Sequence, residues 1–540
     1  MRGLLCLYLL VSSAQIAITH AADSVPRQLW LYCADNLWVD EHIDNLEKLW
    51  ARAAKSGYTH ILLSDSKFGK LGDMDSRYFR NVARLQKIAA NLNLEIVPAL
   101  FQIGYSNDLL WNDPNLAEGL PVKEVPILVR DGKGALATST TSLLKGGDMS
   151  DISQWNWHDP TVLSESGAAV IRNPNGANAR LVQKIKLSPF RQYHLAVRIK
   201  TKDFRGTPEI KVLAGEHSLD YNSLGVKRTQ DWTVHHVVFD SLDHSEANLY
   251  LGCWGGTTGE LWFDDATLEE TVFVNLIRRP GAPLIIKNTK GEALREGVDF
   301  ESLVDPKMGT RLWKGSYDAW HEPPELITKG LANGTHLSAS YYYAATVNDD
   351  QAMICPSEPK TVELLRDQAR RMHDAWHAKG YMMSHDEIRV LNWCGACQQR
   401  HLSAGQILAD NARTCVNILK ETNPGGRIYV WSDMFDPFHN AHDDYYLVHG
   451  TLADSWEGLS KDVIIVPWYF EAREKSLRWF SDRGHHQVIA GYYDHDPAQI
   501  KDWLISGAKV SGIEGVMYTT WQSNFRDLER FAGAAGFSTK

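Results

Sequence analysis

The chain has 540 residues, 44% of them hydrophobic, with 56 Lys+Arg against 66 Asp+Glu and a formal net charge of -10. It is long and apolar enough for two or three domains with a large core, and no basic stripe tracks a phosphate backbone, which argues against a nucleic-acid partner. The 19 Trp supply flat, rigid surfaces suited to sugar rings as well as to core packing.

Residues 1–21, MRGLLCLYLLVSSAQIAITHA, combine one Arg, an apolar run from Leu4 to Val11 and small residues around Ala21 and Ala22, the pattern of a signal peptide. The expectation is a mature chain that starts near Ala22 and is secreted or periplasmic. No later stretch reaches the roughly 18 apolar residues of a membrane span. Six cysteines remain beyond the signal, and an oxidising compartment permits one or two disulfides among them. Nothing in the sequence fixes an oligomeric state.

From Pro26 onward a short apolar strand repeatedly ends in polar residues and is followed by a helical pattern. RQLWLY ends at Cys33-Ala34-Asp35-Asn36, THILLS at Asp65-Ser66-Lys67, and EIVPALF at Gln102-Ile103-Gly104-Tyr105. The amphipathic run DEHIDNLEKLWARAAKSG, closed by Gly57, reads as one of the intervening helices. Such units predict an α/β chain built as a (β/α)8 TIM barrel, whose first part covers residues 22–130.

Between 146 and 270 the runs become short and alternating, as in RQYHLAVRIKT and DWTVHHVVF, which predicts an inserted antiparallel β-sandwich. Its closing strand, LWFDDATL, resembles the last strand of jelly-roll carbohydrate-binding modules, a resemblance that implies a structural calcium at Asp264 or Asp265. Residues 271–333 read as a β-rich return segment, and 334–540 as the second part of the barrel. Nine candidate strands compete for eight places. THLSASYYY, directly after the insertion, is placed outside the ring, which makes YMMS the fourth barrel strand.

Active sites of such barrels lie at the C-terminal strand ends. Here those ends carry Asp35, Asp65, Tyr105, the pair Asp386 and Glu387 behind His385, Trp431 with Asp433, Trp468 with Glu471, Tyr493 with Asp494, and Trp521. Carboxylates interleaved with aromatic rings suit glycoside hydrolysis of an oligo- or polysaccharide. No phosphate-binding Gly loop, GxSxG elbow or HExxH motif competes with that reading. An isolated Asp after a strand is also a ready helix cap, the plain alternative for Asp35 and Asp65. Adjacent Asp386 and Glu387 repel one another and need compensation, for which His385 and Arg389 are the nearby candidates. Cys394 and Cys397 form a CxxC that reads as structural: a disulfide, or part of a zinc site completed by His401, Cys355 or Cys415.

The Asp-Glu pair, together with strands ending in VWSDMFD and VMYTTWQ, resembles the hexosaminidase-type glycoside hydrolases of family 20 and their relatives. The resemblance implies substrate-assisted retaining catalysis that needs no cofactor. Asp386 would orient the 2-acetamido group whose oxygen attacks the anomeric carbon, and Glu387 would act as general acid/base. Trp431, Trp468 and Trp521 would wall the sugar, and Tyr493 would hold the acetamido oxygen. Two other readings stay open: a conventional retaining β-glycosidase with Glu471 or Asp494 as nucleophile, and a non-catalytic carbohydrate-binding protein.

Overall fold

The computed structural model describes residues 28–138, 142–348 and 350–537, so the expected signal peptide lies outside the described residues. Eight parallel strands close a barrel in chain order: β1 (Gln28–Ala34), β2 (His60–Ser64), β3 (Glu95–Leu100), β4 (Gly380–Met383), β5 (Arg427–Trp431), β6 (Val463–Val466), β7 (Gln487–Tyr492) and β8 (Ile513–Tyr518). The β1 residues Leu29, Leu31 and Cys33 point outward against helices. Trp30 points inward, where it joins Leu62, Val97, Met382, Tyr429, Ile464 and Met517 in a separate core inside the ring. Both faces of the strands are therefore buried, and β4 and β7 read as continuous apolar runs.

The helices follow from apolar spacing. In α1 (Asp40–Lys55) the buried side chains are Ile43, Leu46, Trp50 and Ala53, one stripe of a helical period. At about 1.5–3 kcal/mol per large side chain, that burial holds the helix to the sheet. Gly57, at φ +91°, turns the chain back toward β2. The remaining helices longer than a single turn are α2 (Ser76–Leu92), α3 (Pro359–Trp376), α4 (Ala404–Thr422), α5 (Arg473–Asp482), α6 (Ile500–Gly507) and α7 (Leu528–Ala534). Among the described residues the β5–β6 connection has no α-helix, only 3-10 turns at Asp433–Phe435 and Ser455–Gly458. Its sequence, PFHNAHDDYYLVHG, has Pro and Gly in place of a helical period. The barrel is thus closed and parallel, but among the described residues the full set of eight helices expected from the sequence is not present.

The chain leaves the barrel after β3 and returns at β4. Between them lies a sandwich of two five-stranded antiparallel sheets, one centred on Gln192–Arg205 and Thr258–Thr271, the other on Glu246–Cys253 and Ala179–Lys186. A third five-stranded sheet pairs Gly119–Arg130 with His336–Ala344 in antiparallel register. Two boundaries therefore move. Gly119–Arg130 is not part of the barrel half expected over 22–130, and within 334–540 His336–Ala344, expected to lie outside the ring, does so as a member of this third sheet, so the second barrel half begins after it. The reason is visible in the burial of His336–Ala344, which alternates along most of its length, the pattern of a strand with one open face.

Candidate active site

The fourth strand delivers the acid pair. Beyond Met383 the ladder continues, with Ser384 N–H donating to Leu100 O (2.8 Å) and Ile103 N–H to Ser384 O (3.1 Å). Gly104 then passes so close that a Cβ there would stand 1.8 Å from the Asp386 carbonyl oxygen, which only glycine allows. Glu387 adopts φ +50°, a conformation seldom taken by a non-glycine residue and often found at functional sites. Its N–H donates to Asp433 Oδ2 at 2.8 Å.

Glu387 Oε2 is held from two sides, by the Tyr105 hydroxyl and by the Arg389 guanidinium at 2.7 Å. Arg389 also donates to the Tyr105 oxygen at 3.1 Å and lies over the rings of Tyr105, Tyr446 and Tyr221, the last 4.8 Å away and contributed by the sandwich. Arg389 therefore supplies the compensating charge. His385 does not: it is fully buried with Nε2 on Asn411 of α4 at 3.0 Å. Burial holds its imidazole down at about 4, against a smaller upward pull from Asn411. Its place as a substrate contact is corrected to that of a packing residue behind the pair.

A cavity of about 390 Å³ opens beside the pair, lined by Asp386, Glu387, Tyr105, Ser384 and Gln102, with Tyr32, Trp431, Trp468, Tyr493 and Trp521 as its aromatic wall. This size lies at the lower end of the roughly 300–1,000 Å³ of small-molecule sites. Trp468 and Tyr493 stack in parallel at 5.6 Å, and Trp521 stands 5.1 Å from Tyr32 and 5.8 Å from Trp431. Burial, with Glu387's charge added, pushes the Asp386 carboxyl up to about 7. Asp433, fully buried, is driven well above the ordinary carboxylate range by burial and then by Asp386. It accepts from Asn440 at 3.0 Å and from the Trp468 indole at 3.4 Å, and so ties the wall to the acid pair.

The other expected site residues are placed elsewhere. Asp35 receives His42 (2.5 Å) and the Asn36 N–H. Asp65 accepts from the N–H groups of Leu37 and Lys67 and from the Tyr78 hydroxyl. Both border a neighbouring hollow with Trp38, Trp111 and Trp313 instead of the cavity of the acid pair. Glu471 is exposed after β6 and outside the cavity lining. Asp494 accepts from the Thr520 hydroxyl (2.6 Å) and the Trp521 N–H (2.8 Å), which makes it a positioning residue for Trp521. In the sandwich, Asp264 and Asp265 face Arg198, at 3.8 and 2.8 Å. Tyr32, Ser64 and Gln102 line the cavity and were not among the expected site residues. Tyr32 could have been found two places after inward Trp30, since alternate strand residues share a face.

No family model matches the chain, and none of the curated proteins does. Among solved structures it is similar to a Flavobacterium johnsoniae chitobiase, at 16% identity over 37% of this chain and 32% of that one, with a TM-score of 0.27. It is also similar to a rhamnosidase from Novosphingobium sp. PP1Y, at 11% identity over 92% of this chain and 55% of that one, TM-score 0.32. The carbohydrate-binding module CBM4 matches at 19% identity over 21% of this chain and 78% of that one, TM-score 0.18. Identities this low leave the chemistry to be read from the site itself.

Proposed function

We propose that the protein is an exported glycoside hydrolase that removes terminal 2-acetamido sugars from oligo- or polysaccharides by substrate-assisted, retaining catalysis. The observation that carries this reading is the cavity wall. Asp386 and Glu387 are its only carboxylates among the described residues, and they are sequence neighbours. A conventional retaining enzyme places a second carboxyl about 5–5.5 Å away, across the scissile bond, as nucleophile. Glu471 and Asp494 do not reach that place, and Asp433 is bound behind the pair. A nucleophile carried by the substrate fills the gap.

Glu387 then serves as acid/base. Its Oε2 is occupied by Tyr105 and Arg389, and Oε1 remains to pass a proton to the leaving oxygen and to take one from water. Asp386, facing the cavity, receives the acetamido N–H. Trp431, Trp468 and Trp521 stack on the ring and the acetamido methyl, and the Tyr493 hydroxyl reaches the acetamido oxygen. A panel of chromogenic β-glycosides with and without the 2-acetamido group tests the reading, together with a thiazoline mimic of the oxazoline intermediate. Cleavage confined to 2-acetamido substrates and blocked by the thiazoline is expected. Equal cleavage of plain β-glycosides, insensitive to the thiazoline, would overturn it.

A further inference from the structure

Four buried side chains from separate stretches converge just beyond the acid pair: Glu118, Cys355, Cys394 and Cys397. They are the one group of three or more His, Cys, Asp or Glu side chains among the described residues whose ligand atoms all lie within 4.8 Å of one another. Cys355 Sγ is 3.4 Å from Cys394 Sγ and 3.6 Å from Cys397 Sγ, while Glu118 Oε2 is 3.4 Å from each of the latter two. Sulfur about 2.3 Å and carboxylate oxygen about 2.0–2.2 Å from a tetrahedral zinc stand roughly 3.5–3.8 Å apart. Four of the six edges of the cluster are therefore close to those of that tetrahedron, and all six lie within 4.8 Å.

The surroundings are those of a built site. Glu118 Oε1 accepts the N–H groups of Trp393 and Cys394, both at 2.8 Å, which leaves Oε2 turned to the sulfurs. Ser357 Oγ lies 3.2 Å from Cys397 Sγ. The Arg279 guanidinium faces Cys394 and Cys355 and is itself fixed by the carbonyls of Asn115 and Ala117 and by Glu358. Three thiolates and a carboxylate around Zn²⁺ carry excess negative charge, part of which Arg279 offsets. Oriented ligands with partnered outer atoms characterise working metal sites. A disulfide fits less well: one bond among three thiols leaves an odd cysteine, and it leaves a buried carboxylate with no cation inside the cluster. His401 and Cys415, the other ligands suggested by the sequence, are not in the cluster.

We infer that Glu118, Cys355, Cys394 and Cys397 bind a structural zinc ion. All four positions are filled by protein and buried, so the ion has no open site for substrate. It would clamp the loop that follows Glu387 to the start of the inserted region and to the segment before α3.

Metal analysis and native mass spectrometry of the full chain, after incubation with Zn²⁺ and removal of the excess, test the inference. About one zinc per chain is expected, lost in Cys355→Ser and weakened in Glu118→Gln, retained in Cys415→Ser, and accompanied by a lower Tm when a chelator strips the wild-type chain. Should the variants fail to fold, wild-type chain loaded with Co²⁺ is expected to show thiolate-to-cobalt charge-transfer absorption. A folded chain that takes up neither ion, or whose mass and peptide map show a disulfide among these cysteines, would sink the proposal.

Discussion

Strands β1 and β2 end in Asp35 and Asp65, while β4 and β5 end in the pair Asp386 and Glu387 and in Asp433; the same chemistry at the same level of one barrel has two fates. At β1 and β2 the carboxylates are consumed by nearby N–H groups and by His42 and Tyr78, as Asp side chains often are in turns, although neither caps the helix that follows. At β4 the left-handed turn at Glu387 and the close pass of Gly104 accompany a pair that lines an aromatic cavity, where Tyr105 and Arg389 engage Oε2 of Glu387 and leave Oε1 to the cavity. A strand-end acid becomes available for chemistry when the backbone leaves its lone pairs unspent.

The sharpest way to break this contrast is Glu387→Gln. Loss of a general acid/base is expected to lower kcat/KM by about 10²–10⁴-fold with an unchanged circular dichroism spectrum; a variant that keeps its rate removes Glu387 from the chemistry. Asp386→Asn comes next. On the proposed mechanism Asp386 must be ionised to hold the acetamido N–H, and burial pushes its carboxyl up to about 7, so the wild-type rate is expected to climb as pH rises through that value, and the variant to lose this limb.

The same substitution has a stability signature. A carboxyl raised in the folded state binds its proton more tightly there than in the unfolded chain, so ionising it costs stability as pH rises from the unfolded pKa, roughly 3.9, to about 7. Asp386→Asn is therefore expected to raise Tm, and by more at pH 8 than at pH 5. Equal gains at both would show that the charge is not the cause.

Asp65→Asn tests the opposite corner. Losing acceptor capacity for buried donors is expected to cost about 1–3 kcal/mol in denaturant unfolding while kcat stays within a few-fold. Asp494→Ala, which frees the Trp521 N–H, is expected to do least: a rise in KM of a few-fold with little change in kcat, read from initial rates at varied substrate concentration.

Much of the barrel was legible because its strands and helices carry their own periods: the apolar stripe of α1 and the continuous runs of β4 and β7 need no partner to be read. His336–Ala344 could be set aside because nine strands could not fill eight places. Its true partner, Gly119–Arg130, was not legible, since antiparallel pairing across the whole insertion leaves no local mark. The acid pair stood out by adjacency. The burial of His385 behind it, and the engagement of Asp65 with backbone, depended on helix packing and loop paths that single residues do not encode. Glu118 beside three cysteines was hidden for the same reason, its nearest thiol partner lying far along the chain.

The position of the insertion also sets an order of events during synthesis. The ladder between β3 and β4, from Ala99 to Met382 and Leu100 to Met383, cannot form until the sandwich and third sheet have been made, and β1 must wait for β8 before its other edge is paired. Sequence-distant pairings of this kind form slowly, and until they form the outer edges of β1 and β3 lack their barrel partners. Closure of the barrel around the candidate site therefore requires β8, which follows the whole insertion in the chain.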